Sequence, residues 1–515
     1  MVRVRLRVMQ GLNDPNRELL DAGAFCRQLV DEGSVYAFLA DHRTDVFADG
    51  MFEDLFPSRR GRPSTPAGVM ASAMILKELE GLSDRQAADA LRCDIRWKVA
   101  CGLALDDSGV HYTVFTYWRQ RLAKSEFPDR IADAVRAVVD ATGVLSGKKR
   151  RALDSTLLDD AVATQDTVTQ LVSQIRRVRR LIPQAATVDV AAHDYDASGK
   201  PVCAWDDPDA KEALVSGLVN DALAVLGAVA DVELDDAAAD AVGLLALVAG
   251  QDVEPGDEEG TWRIFDGTAK GRVISTVDPE ARHMHKSRSA YRDGYKAHIA
   301  VEPETGIITA STLTPADTSD GPIGVQLLAG EDPGLEVFAD SAYGSGETRA
   351  ALREAKHTQA IKAIPLARPK IDGGYGRDDF TVDHTNRTVT CPEGHTVTIA
   401  TKGTASFGRR CRDCPSRQRC TTAKDGRSLT ISGHDDELVA ARHAWNNTTL
   451  IDDYRKYRPM VERSIAWIVA SGHRRVRYRG VEANRTQLAL RVAAINLRRL
   501  VNLGLNHNGD AWATT

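Results

Sequence analysis

Two short apolar runs, each carrying an aspartate, limit the fold of this chain more than any other feature of its sequence. They are Ala152-Leu-Asp-Ser-Thr-Leu-Leu158 and Leu335-Glu-Val-Phe-Ala-Asp340. Apolar runs of this length are typical of buried strands. A hairpin is predicted between them, over residues 295–302 and 306–313, because polar and apolar positions alternate in its first arm. Helical patterns separate these strands, and this order of elements predicts a mixed α/β layer.

Weaker patterns extend this layer. Residues 272–276 and 357–364 have the composition of strands. Residues 171–182 repeat apolar side chains at helical spacing, with arginines between them. We therefore expect two further strands and at least one helix around the two apolar runs.

Length and composition exclude several classes of protein. A chain of 515 residues has room for roughly three or four domains of about 150 residues each. With 43% hydrophobic and 27% charged residues, it has the composition of a folded protein. The longest apolar stretch, residues 237–250, contains Asp240 and is shorter than the ~20 residues of a membrane-spanning helix. The first ten residues lack the apolar core of a signal peptide, so a cytoplasmic protein is expected.

Charge is divided unevenly along the chain. The net charge is −6, but residues 206–260 contain fifteen acidic residues and one basic residue, and so carry −14. Residues 451–500 contain twelve basic and four acidic residues, and so carry +8. The acidic total therefore does not exclude a nucleic-acid partner. Residues 206–260 are predicted to form an acidic helical insertion.

The N-terminal part of the sequence is predicted to be helical. After a segment of residues 1–58 without a clear period, residues 59–125 carry apolar side chains at steps of three and four. Ser83-Asp-Arg-Gln86 fits a capping box that begins a helix. A later helix carries Arg119 and Arg121 beside aromatic residues, which is similar to the last helix of a helix-turn-helix DNA-binding domain. A plain helical bundle with a solvated arginine face is the alternative.

Cysteines are concentrated in residues 371–430. Four of the eight lie within thirty residues of one another: Cys391, Cys411, Cys414 and Cys420. They lie in two groups that resemble the paired ligand groups of a zinc ribbon, with His395 near the first. Zinc would stabilise a small segment that cannot build a large core. The spacing is irregular, so reduced thiols without metal are the alternative.

Three carboxylates are candidates for a catalytic site. Asp154 and Asp340 lie in or at the end of predicted strands, and Glu462 flanks the apolar face of a predicted helix. Carboxylates brought together repel one another unless divalent cations neutralise them, and oxygen ligands favour Mg²⁺ or Mn²⁺. Two such ions can activate an attacking oxygen and stabilise a leaving oxygen at a phosphate. Spacing alone does not select these three among 72 acidic residues.

The residues around the carboxylates carry a more specific signal. Leu153-Asp-Ser-Thr156, Ala339-Asp-Ser-Ala-Tyr-Gly-Ser345 and Arg458-Pro-Met-Val-Glu462-Arg463 together resemble the DDE transposases of bacterial insertion sequences. The most similar group is the one numbered eleven-eighty-two, within the IS-four and IS-five-like set. The resemblance extends over most of the chain, from Arg59-Arg-Gly-Arg-Pro63 to Asn496-Leu-Arg-Arg-Leu500.

This resemblance implies a ribonuclease-H-like catalytic core formed by residues 148–205 and 261–370. In such a core Asp154, Asp340 and Glu462 hold two Mg²⁺ or Mn²⁺ ions. The implied activity is cleavage of DNA at terminal inverted repeats, followed by attack of the freed 3′-OH on target DNA. The implied partners are DNA and further copies of the chain, in a homodimer or a larger synaptic assembly associated with the nucleoid.

The resemblance also assigns the remaining segments. Residues 206–260 and 371–430 become insertions into the core, and residues 440–505 supply the catalytic helix and a basic region. Residues 59–125 become an all-α DNA-binding domain that precedes the core. The residues expected to contact DNA are Arg119, Arg121, Lys286, His298, Arg458, Arg474, Arg475, Arg477 and Arg479.

One position departs from the family pattern. The wider set has a lysine seven positions after the glutamate, where this chain has Val469. Tyr454 is also one residue further from Arg458 than the pattern expects. His473, Arg474 or Arg475 are candidates to replace the lysine. A DNA-binding regulator that has lost catalysis, or a metal-dependent nuclease without strand transfer, is therefore kept as an alternative.

Overall fold

The computed structural model describes residues 10–11, 20–58, 63–267, 269–287, 290–366, 369, 371–509 and 511–514, with the backbone alone described at 285–287 and 290. Most of the Arg59–Pro63 motif, residues 59–62, lies outside them. Within the described chain, no helix is both long enough and apolar enough to cross a lipid bilayer. Helices and strands alternate in the middle of the chain, so the predicted mixed α/β class is confirmed.

The N-terminal part of the described chain is helical. Its α-helices are α1 (Ala22–Cys26), α2 (Val35–Val46), α3 (Ala67–Glu80), α4 (Asp84–Cys93), α5 (Ile95–Cys101), α6 (Thr113–Lys124) and α7 (Arg130–Ala141). Helix α3 is buried from Ala67 to Glu78, and α2 and α4 to α7 contribute side chains to the same core. The capping box predicted at Ser83 and Gln86 is confirmed at the start of α4.

One hydrophobic core joins the residues on both sides of position 59. Phe47 and Phe52 are fully buried against side chains of α3 and α6, including Ile75 and Trp118. Phe52 lies in a short 3-10 helix, Asp49–Leu55. Elements this short are too brief to show a helical period in the sequence. Residues 35–56 therefore pack in the same unit as the helices that follow them.

The middle of the chain builds a six-stranded sheet and two groups of helices. Its elements are β1 (Arg150–Asp159), α8 (Thr167–Leu181), α9 (Pro183–Ala186), α10 (Pro208–Ala228), α11 (Asp236–Gln251), β2 (Val253–Pro255), β3 (Trp262–Ile264), β4 (Arg282–Ser287), β5 (Ala290–Val301), β6 (Ile308–Pro315), α12 (Asp320–Leu327), β7 (Glu336–Ala339), α13 (Gly346–Glu354) and β8 (Thr358–Ile361).

The strand order of the main sheet is β6-β5-β1-β7-β8, and β4 pairs with the first residues of β5. Strand β5 is antiparallel to β1 and β6. Strand β7 is parallel to β1 and to β8. This order and these directions are consistent with a ribonuclease-H-like core.

Residues 272–276 do not form the strand that their composition predicts. Val273 makes only an isolated bridge, with Arg282, although Val273 and Ile274 are fully buried. Two glutamines satisfy the backbone of Val273 instead: its N–H donates to Gln251 Oε1 at 3.0 Å, and its carbonyl accepts from Gln170 Nε2 at 2.9 Å. Side-chain hydrogen bonds satisfy the buried backbone of Val273 in place of strand pairing. A propensity pattern does not reveal such bonds.

Helices α8, α10 and α11 pack around a core of their own. Leu171 and Ile175 of α8 are fully buried against Leu218 of α10 and Leu245 of α11. The buried carboxylate of Asp221 accepts hydrogen bonds from the Tyr195 hydroxyl at 2.8 Å and from two backbone N–H groups. Helices α10 and α11 lie in the predicted acidic segment, 206–260, and their apolar faces are turned toward this core.

The cysteine-rich segment contains short elements only. They are β9 (Thr381–Asp383), β10 (Thr388–Thr390), β11 (Thr396–Thr398), β12 (Thr404–Ser406), α14 (Arg417–Cys420) and β13 (Ser428–Thr430). Strands β9, β10 and β11 form one small sheet, and β12 pairs with β13. A small cluster around Phe380 and Phe407 is the local core.

The chain continues through four helices and a hairpin. These are α15 (Asp435–Ala444), α16 (Thr448–Tyr457), α17 (Pro459–Val469), α18 (Val481–Asn502), β14 (Asn506–His507) and β15 (Trp512–Ala513). Helix α18 joins two cores, because Leu497 packs with the N-terminal helices and Ile495 packs with the sheet. The Asn496 side chain also makes two hydrogen bonds to the backbone of Ile308, at 2.9 and 2.8 Å.

Different helices cover the two faces of the sheet. Ala152 and its β5 partner Val301 belong to the cluster that includes residues of α17 and α18. Leu153 and its partner Ala300 belong to the cluster that includes residues of α12 and α13. Because side chains alternate along a strand, Asp154 lies on the same face as Ala152. The α17 face therefore contains the first candidate carboxylate.

Candidate active site

Asp154 and Asp340 are brought together by parallel strand pairing. Ala152 of β1 is aligned with Phe338 of β7, so Asp154 and Asp340, each two residues further on, are at equivalent positions. The Asp154 Oδ1 accepts from the N–H of Ser155, and the Asp340 Oδ1 accepts from the N–H of Ala342, both at 2.9 Å. The second bond caps a 3-10 turn, Ser341–Tyr343, and fixes where β7 ends.

Glu462 approaches Asp154 through an arginine that lies between them. The Arg458 Nη2 is 2.9 Å from the Asp154 Oδ2, and the Arg458 Nη1 is 3.4 Å from the Glu462 Oε1. The side chain of Arg458 is 5% exposed and that of Asp154 is 16% exposed, whereas that of Glu462 is 67% exposed. We call Asp154, Asp340, Arg458 and Glu462 the carboxylate site.

Local sequence explains why these side chains share one face. Tyr454, Arg458 and Glu462 are spaced by four residues, which places them in line along the helical stretch of α16 and α17. Pro459 is the first residue of α17, and Arg458 is both the last cap of α16 and the first cap of α17. The side chain of Arg458 thus projects from the junction of two helices toward β1.

The electrostatics of the carboxylate site follow from burial and proximity. Burial raises the pKa of Asp154 above its ordinary value, Arg458 opposes that rise, and the nearby charge of Asp340 adds to it. Burial by itself lowers the pKa of Arg458, but Asp154, Tyr454 and Glu462 together more than compensate, so this pKa is raised. The guanidinium therefore stays charged and neutralises part of the carboxylate charge.

Two tyrosines border the carboxylate site: Tyr454, which belongs to the family pattern, and Tyr343, which lies in the motif after Asp340. Burial raises the pKa of Tyr454, which also responds to the charges of all three carboxylates. Tyr343 is almost fully buried, and its raised pKa responds to Asp154, Asp340 and Asp320. The family pattern places this tyrosine three residues before the arginine, whereas Tyr454 lies four residues before Arg458, which keeps it on the same helix face. Tyr343 had no comparable signal beyond its place in the motif after Asp340.

The donor set of the carboxylate site fits a hard divalent cation. All three candidate ligands offer carboxylate oxygens, which suit Mg²⁺ and Mn²⁺. In the part of the chain that is described, their oxygens do not all lie within 4.8 Å of one another, and Arg458 lies between two of them. Such an arrangement fits ions shared between pairs of carboxylates better than a single ion held by all three.

Arg474 lies on the same sheet face as Asp154. Its Nη1 donates to the Thr156 Oγ1 and to the Leu157 carbonyl, both at 2.9 Å. Thr156 is two residues after Asp154 and so shares its face. The backbone of residues 474–476 continues along the end of β1 through hydrogen bonds with Asp159.

The neighbouring basic residues have different surroundings. Arg475 is exposed and its Nε donates to the Asp160 carbonyl at 2.8 Å. Arg477 donates to the carbonyls of Gly81 and Leu82, which ties this segment to the turn between α3 and α4. Arg479 is exposed. His473 is buried and its Nε2 is 2.9 Å from the Glu78 Oε2, so it faces protein instead of solvent.

Val469, which stands where the wider family has lysine, is half-buried beside the apolar cluster between the sheet and α18. An apolar side chain fits that position, whereas a lysine ammonium there would need a polar partner. Among the three candidate replacements, Arg474 and Arg475 lie at the end of β1, and His473 is occupied by Glu78.

Two of the other residues predicted to contact DNA lie on or beside β5. The ring of His298 is 0% exposed and its Nε2 is 2.9 Å from the Thr314 Oγ1. By alternation it lies on the α12 face of the sheet, opposite to Asp154. A fully buried ring cannot touch DNA unless the strands around it move. Lys286 lies on β4, and its side chain is outside the described part of the structure.

The two arginines predicted on the N-terminal helices also differ. Arg119 forms a two-point ion pair with Asp84, with separations of 2.9 and 2.5 Å, and stacks over the Tyr478 ring. Arg121 is exposed and lies 4.7 Å from the ring centroid of Phe56. Of these two guanidiniums, that of Arg121 is the one open to a partner.

The four predicted zinc ligands are brought into one place. Cys391, Cys411, Cys414 and Cys420 line one small cavity with His395, and none of them is in a disulfide. Burial raises the pKa of Cys420, and the other three cysteines contribute to that rise, so the four thiols lie near one another. Among the described residues, no three of these sulfurs lie within 4.8 Å of one another. We call these four residues the cysteine cluster.

Comparison with known proteins finds two segments that match transposase family models. Residues 390–501 match a family model described as a transposase DDE domain. Residues 25–121 match one described as a transposase domain, DUF772. Both segments are similar to transposases. The first includes Glu462 and the cysteine cluster, and the second crosses position 59.

A curated relative points to the same class. The chain is 33% identical over 89 residues to the transposase for insertion sequence element IS1106 of Neisseria meningitidis serogroup B. That match covers 17% of this chain and 30% of the relative. No solved structure matches the chain. The sequence resemblance to transposases is therefore supported, whereas the particular insertion-sequence group stays a prediction.

Proposed function

We propose that this protein is a DDE transposase of an insertion sequence, which cleaves DNA at terminal inverted repeats and joins the freed 3′-OH to target DNA. The observation that carries the proposal is the arrangement at Arg458. This guanidinium is paired with Asp154 from the central strand and with Glu462 from α17, beside Asp340 at the end of β7. Residues far apart in sequence thus converge at one point.

In this proposal Asp154, Asp340 and Glu462 hold two Mg²⁺ or Mn²⁺ ions. Such ions, when bound, activate an attacking oxygen and stabilise a leaving oxygen at a phosphate. The protein supplies the geometry: β1 and β7 fix the two aspartates in register, and Arg458 keeps Glu462 close to Asp154. Because its side chain is mostly exposed, Glu462 is the carboxylate that can change position most easily when ions bind.

DNA is proposed to approach the carboxylate site from the side on which Glu462 is exposed, because α17 and α18 cover the rest of the sheet face that carries Asp154. Arg474 is hydrogen-bonded to Thr156, two strand positions from Asp154 on that face, and Arg475 and Arg479 are exposed close to it in sequence. Guanidinium groups bind phosphates without regard to base sequence, so these residues would position the strand to be cut. Sequence recognition of the inverted repeats is assigned to the N-terminal helices, where Tyr117 and Arg121 of α6 are exposed.

Two further parts of the proposal concern zinc and assembly. We assign one structural Zn²⁺ to the cysteine cluster, because the segment that holds it has only short strands and a small core. We assign a homodimer or larger assembly to the active form, because the two ends of an element must be brought together before they are joined.

An assay of cleavage and joining tests the proposal. The full chain is incubated with Mg²⁺ and labelled DNA that ends in the inverted repeats flanking its gene. Asp154→Asn, Asp340→Asn and Glu462→Gln are each expected to reduce cleavage by roughly 10³-fold, since several kcal/mol of transition-state stabilisation are lost. Asp452→Asn, an exposed carboxylate on α16, is the matched control and should cleave normally.

Two results would contradict the proposal in different ways. Cleavage retained by all three variants would overturn the catalytic assignment. Cleavage by the unmodified chain without joining to a second duplex would indicate a nuclease, and the absence of both would favour a DNA-binding regulator.

A further inference from the structure

A second group of potential metal ligands lies where α2 meets the β14–β15 hairpin. His42 and Asp45 are three residues apart on α2 and so project from the same face of that helix. His507 comes from β14. One ligand atom from each of the three residues lies within 4.8 Å of the other two, and no other such group occurs in the described chain.

The separations are close to those that a tetrahedral metal needs. The His42 Nδ1 is 3.3 Å and the His507 Nδ1 is 3.9 Å from the Asp45 Oδ2. Ligands at about 2.0–2.1 Å from a tetrahedral zinc are about 3.3–3.4 Å apart. The first separation already has this length, the second is about 0.5 Å longer, and the ligand atoms of the two histidines lie within 4.8 Å of each other.

Aromatic packing holds the two imidazoles in place. The Trp512 ring lies 4.3 Å from the His507 ring and 5.5 Å from the His42 ring, measured between centroids. Phe38, one turn before His42, packs against both His42 and Trp512. Rings fixed in this way lose little further freedom on binding an ion, which favours binding. The side chains of His42 and His507 are mostly covered, at 25% and 18% exposure.

We propose that His42, Asp45 and His507 bind one Zn²⁺ ion, with water in the fourth position. Two imidazoles and one carboxylate suit zinc and disfavour magnesium, which prefers oxygen ligands. The ion connects α2 to the β14–β15 hairpin that follows α18. It thus links an early and a late segment of the chain, both of which pack on the N-terminal helical core. This proposal does not depend on the carboxylate site or on DNA.

Cobalt substitution and zinc counting test this site in the full chain. Co²⁺ bound to nitrogen and oxygen gives visible absorption without the sulfur-to-cobalt charge-transfer bands that the cysteine cluster would show. Wild-type protein, reloaded after chelation, should show this nitrogen-and-oxygen spectrum, and millimolar Mg²⁺ should not remove it. His42→Gln and His507→Gln should each lose that spectrum and about one zinc per chain.

Matched variants separate ligation from folding. His111→Gln changes an exposed histidine at the start of α6 and should keep the full zinc content. Asp45→Asn keeps the shape of the side chain but removes the charge. It should weaken zinc binding by at least the about 10-fold to 100-fold that loss of a partner of a metal ligand causes, with an unchanged circular dichroism spectrum. In wild-type protein, zinc at 100 times its Kd should lower the unfolded-to-folded ratio about 100-fold.

Equal zinc content in wild type, His42→Gln and His507→Gln would overturn the proposal. So would a wild-type cobalt spectrum that contains only the sulfur bands. Either result would leave the three residues as a histidine–aspartate hydrogen-bond network, with no consequence for the proposed transposase activity.

Discussion

The carboxylate site and the cysteine cluster are two candidate metal sites built in opposite ways. Asp154 and Asp340 are aligned by two paired strands of the main sheet, and Arg458 partly neutralises Asp154 without any ion. The cysteines lie among strands of three residues, with a small hydrophobic core. We infer that the first site needs its metal for chemistry, whereas the second needs its metal for folding. Exchanging hard and soft ligands between the two sites tests this contrast.

The largest effect is expected from Asp340→Cys. A thiolate is a poor ligand for Mg²⁺, so DNA cleavage should fall by roughly 10³-fold while the unfolding temperature changes little. Asp332→Cys makes the same change at an exposed position just before β7 and should leave cleavage unchanged. If Asp340→Cys unfolds at a much lower temperature than wild type, this site also supports the fold and the contrast fails.

The reverse exchange, Cys414→Asp, is expected to act on the fold. Zinc content should fall by about one ion per chain, and proteases should cut within residues 371–430 more readily, because the ion replaces a core there. Cys93→Ser, at an exposed position on α4, is the control. Unchanged zinc content in Cys414→Asp would leave the cysteine cluster as reduced thiols.

A smaller effect is expected from Arg458→Ala, on pH dependence. The pKa of Asp154 is already raised by burial and is lowered by Arg458, so removing the guanidinium should raise it further. Mn²⁺ binds the deprotonated carboxylate, and the pH midpoint of Mn²⁺ binding should therefore move upward. Calorimetric titration at several acidic pH values measures this shift, and Arg455→Ala, exposed on α16, should not show it.

The same substitution has a consequence for stability. A carboxyl whose pKa is raised in the folded protein contributes stability at pH values below its ordinary pKa, and that contribution is lost as pH rises through the raised value. Arg458→Ala should therefore be less stable than wild type at neutral pH, and this deficit should shrink in acid. Urea unfolding at both pH values measures the difference. An equal loss of stability at neutral and acidic pH would mean that the loss does not arise from the titration of Asp154.

The smallest effect is expected from Arg474→Gln. If Arg474 contacts one phosphate near Asp154, the slope of log K against log salt should fall by about one, equally for specific and unrelated DNA. Arg180→Gln, on an exposed position of α8, should leave the slope unchanged. An effect limited to the inverted-repeat sequence would instead indicate base recognition by Arg474.

Patterns that depend on neighbouring residues were predictable from the sequence. The mixed α/β class followed from apolar runs of strand length, and the capping box at Ser83 followed from a four-residue motif. The 272–276 segment was predicted wrongly, because glutamines distant in sequence satisfy its backbone. The 3-10 helix Asp49–Leu55 was too short to show a period.

The candidate site was predictable only in part. The motifs around Asp154, Asp340 and Glu462 named the carboxylates, but not Arg458 as the group between them. His298 was predicted to contact DNA near the cleft, yet strand alternation places it on the opposite face from Asp154. His473 was a candidate cation for DNA, and the fold pairs it with Glu78 from α3 instead.

By itself, the sequence determined the class of fold, the resemblance to transposases and the two sets of candidate metal ligands, because these depend on residue types and local spacing. Only the tertiary structure decided which side chains face one another. Strand register aligned Asp154 with Asp340, the junction of α16 and α17 directed Arg458 toward β1, and the last hairpin carried His507 to α2. Contacts between distant segments depend on packing and hydrogen bonding across the whole chain, which no local pattern encodes.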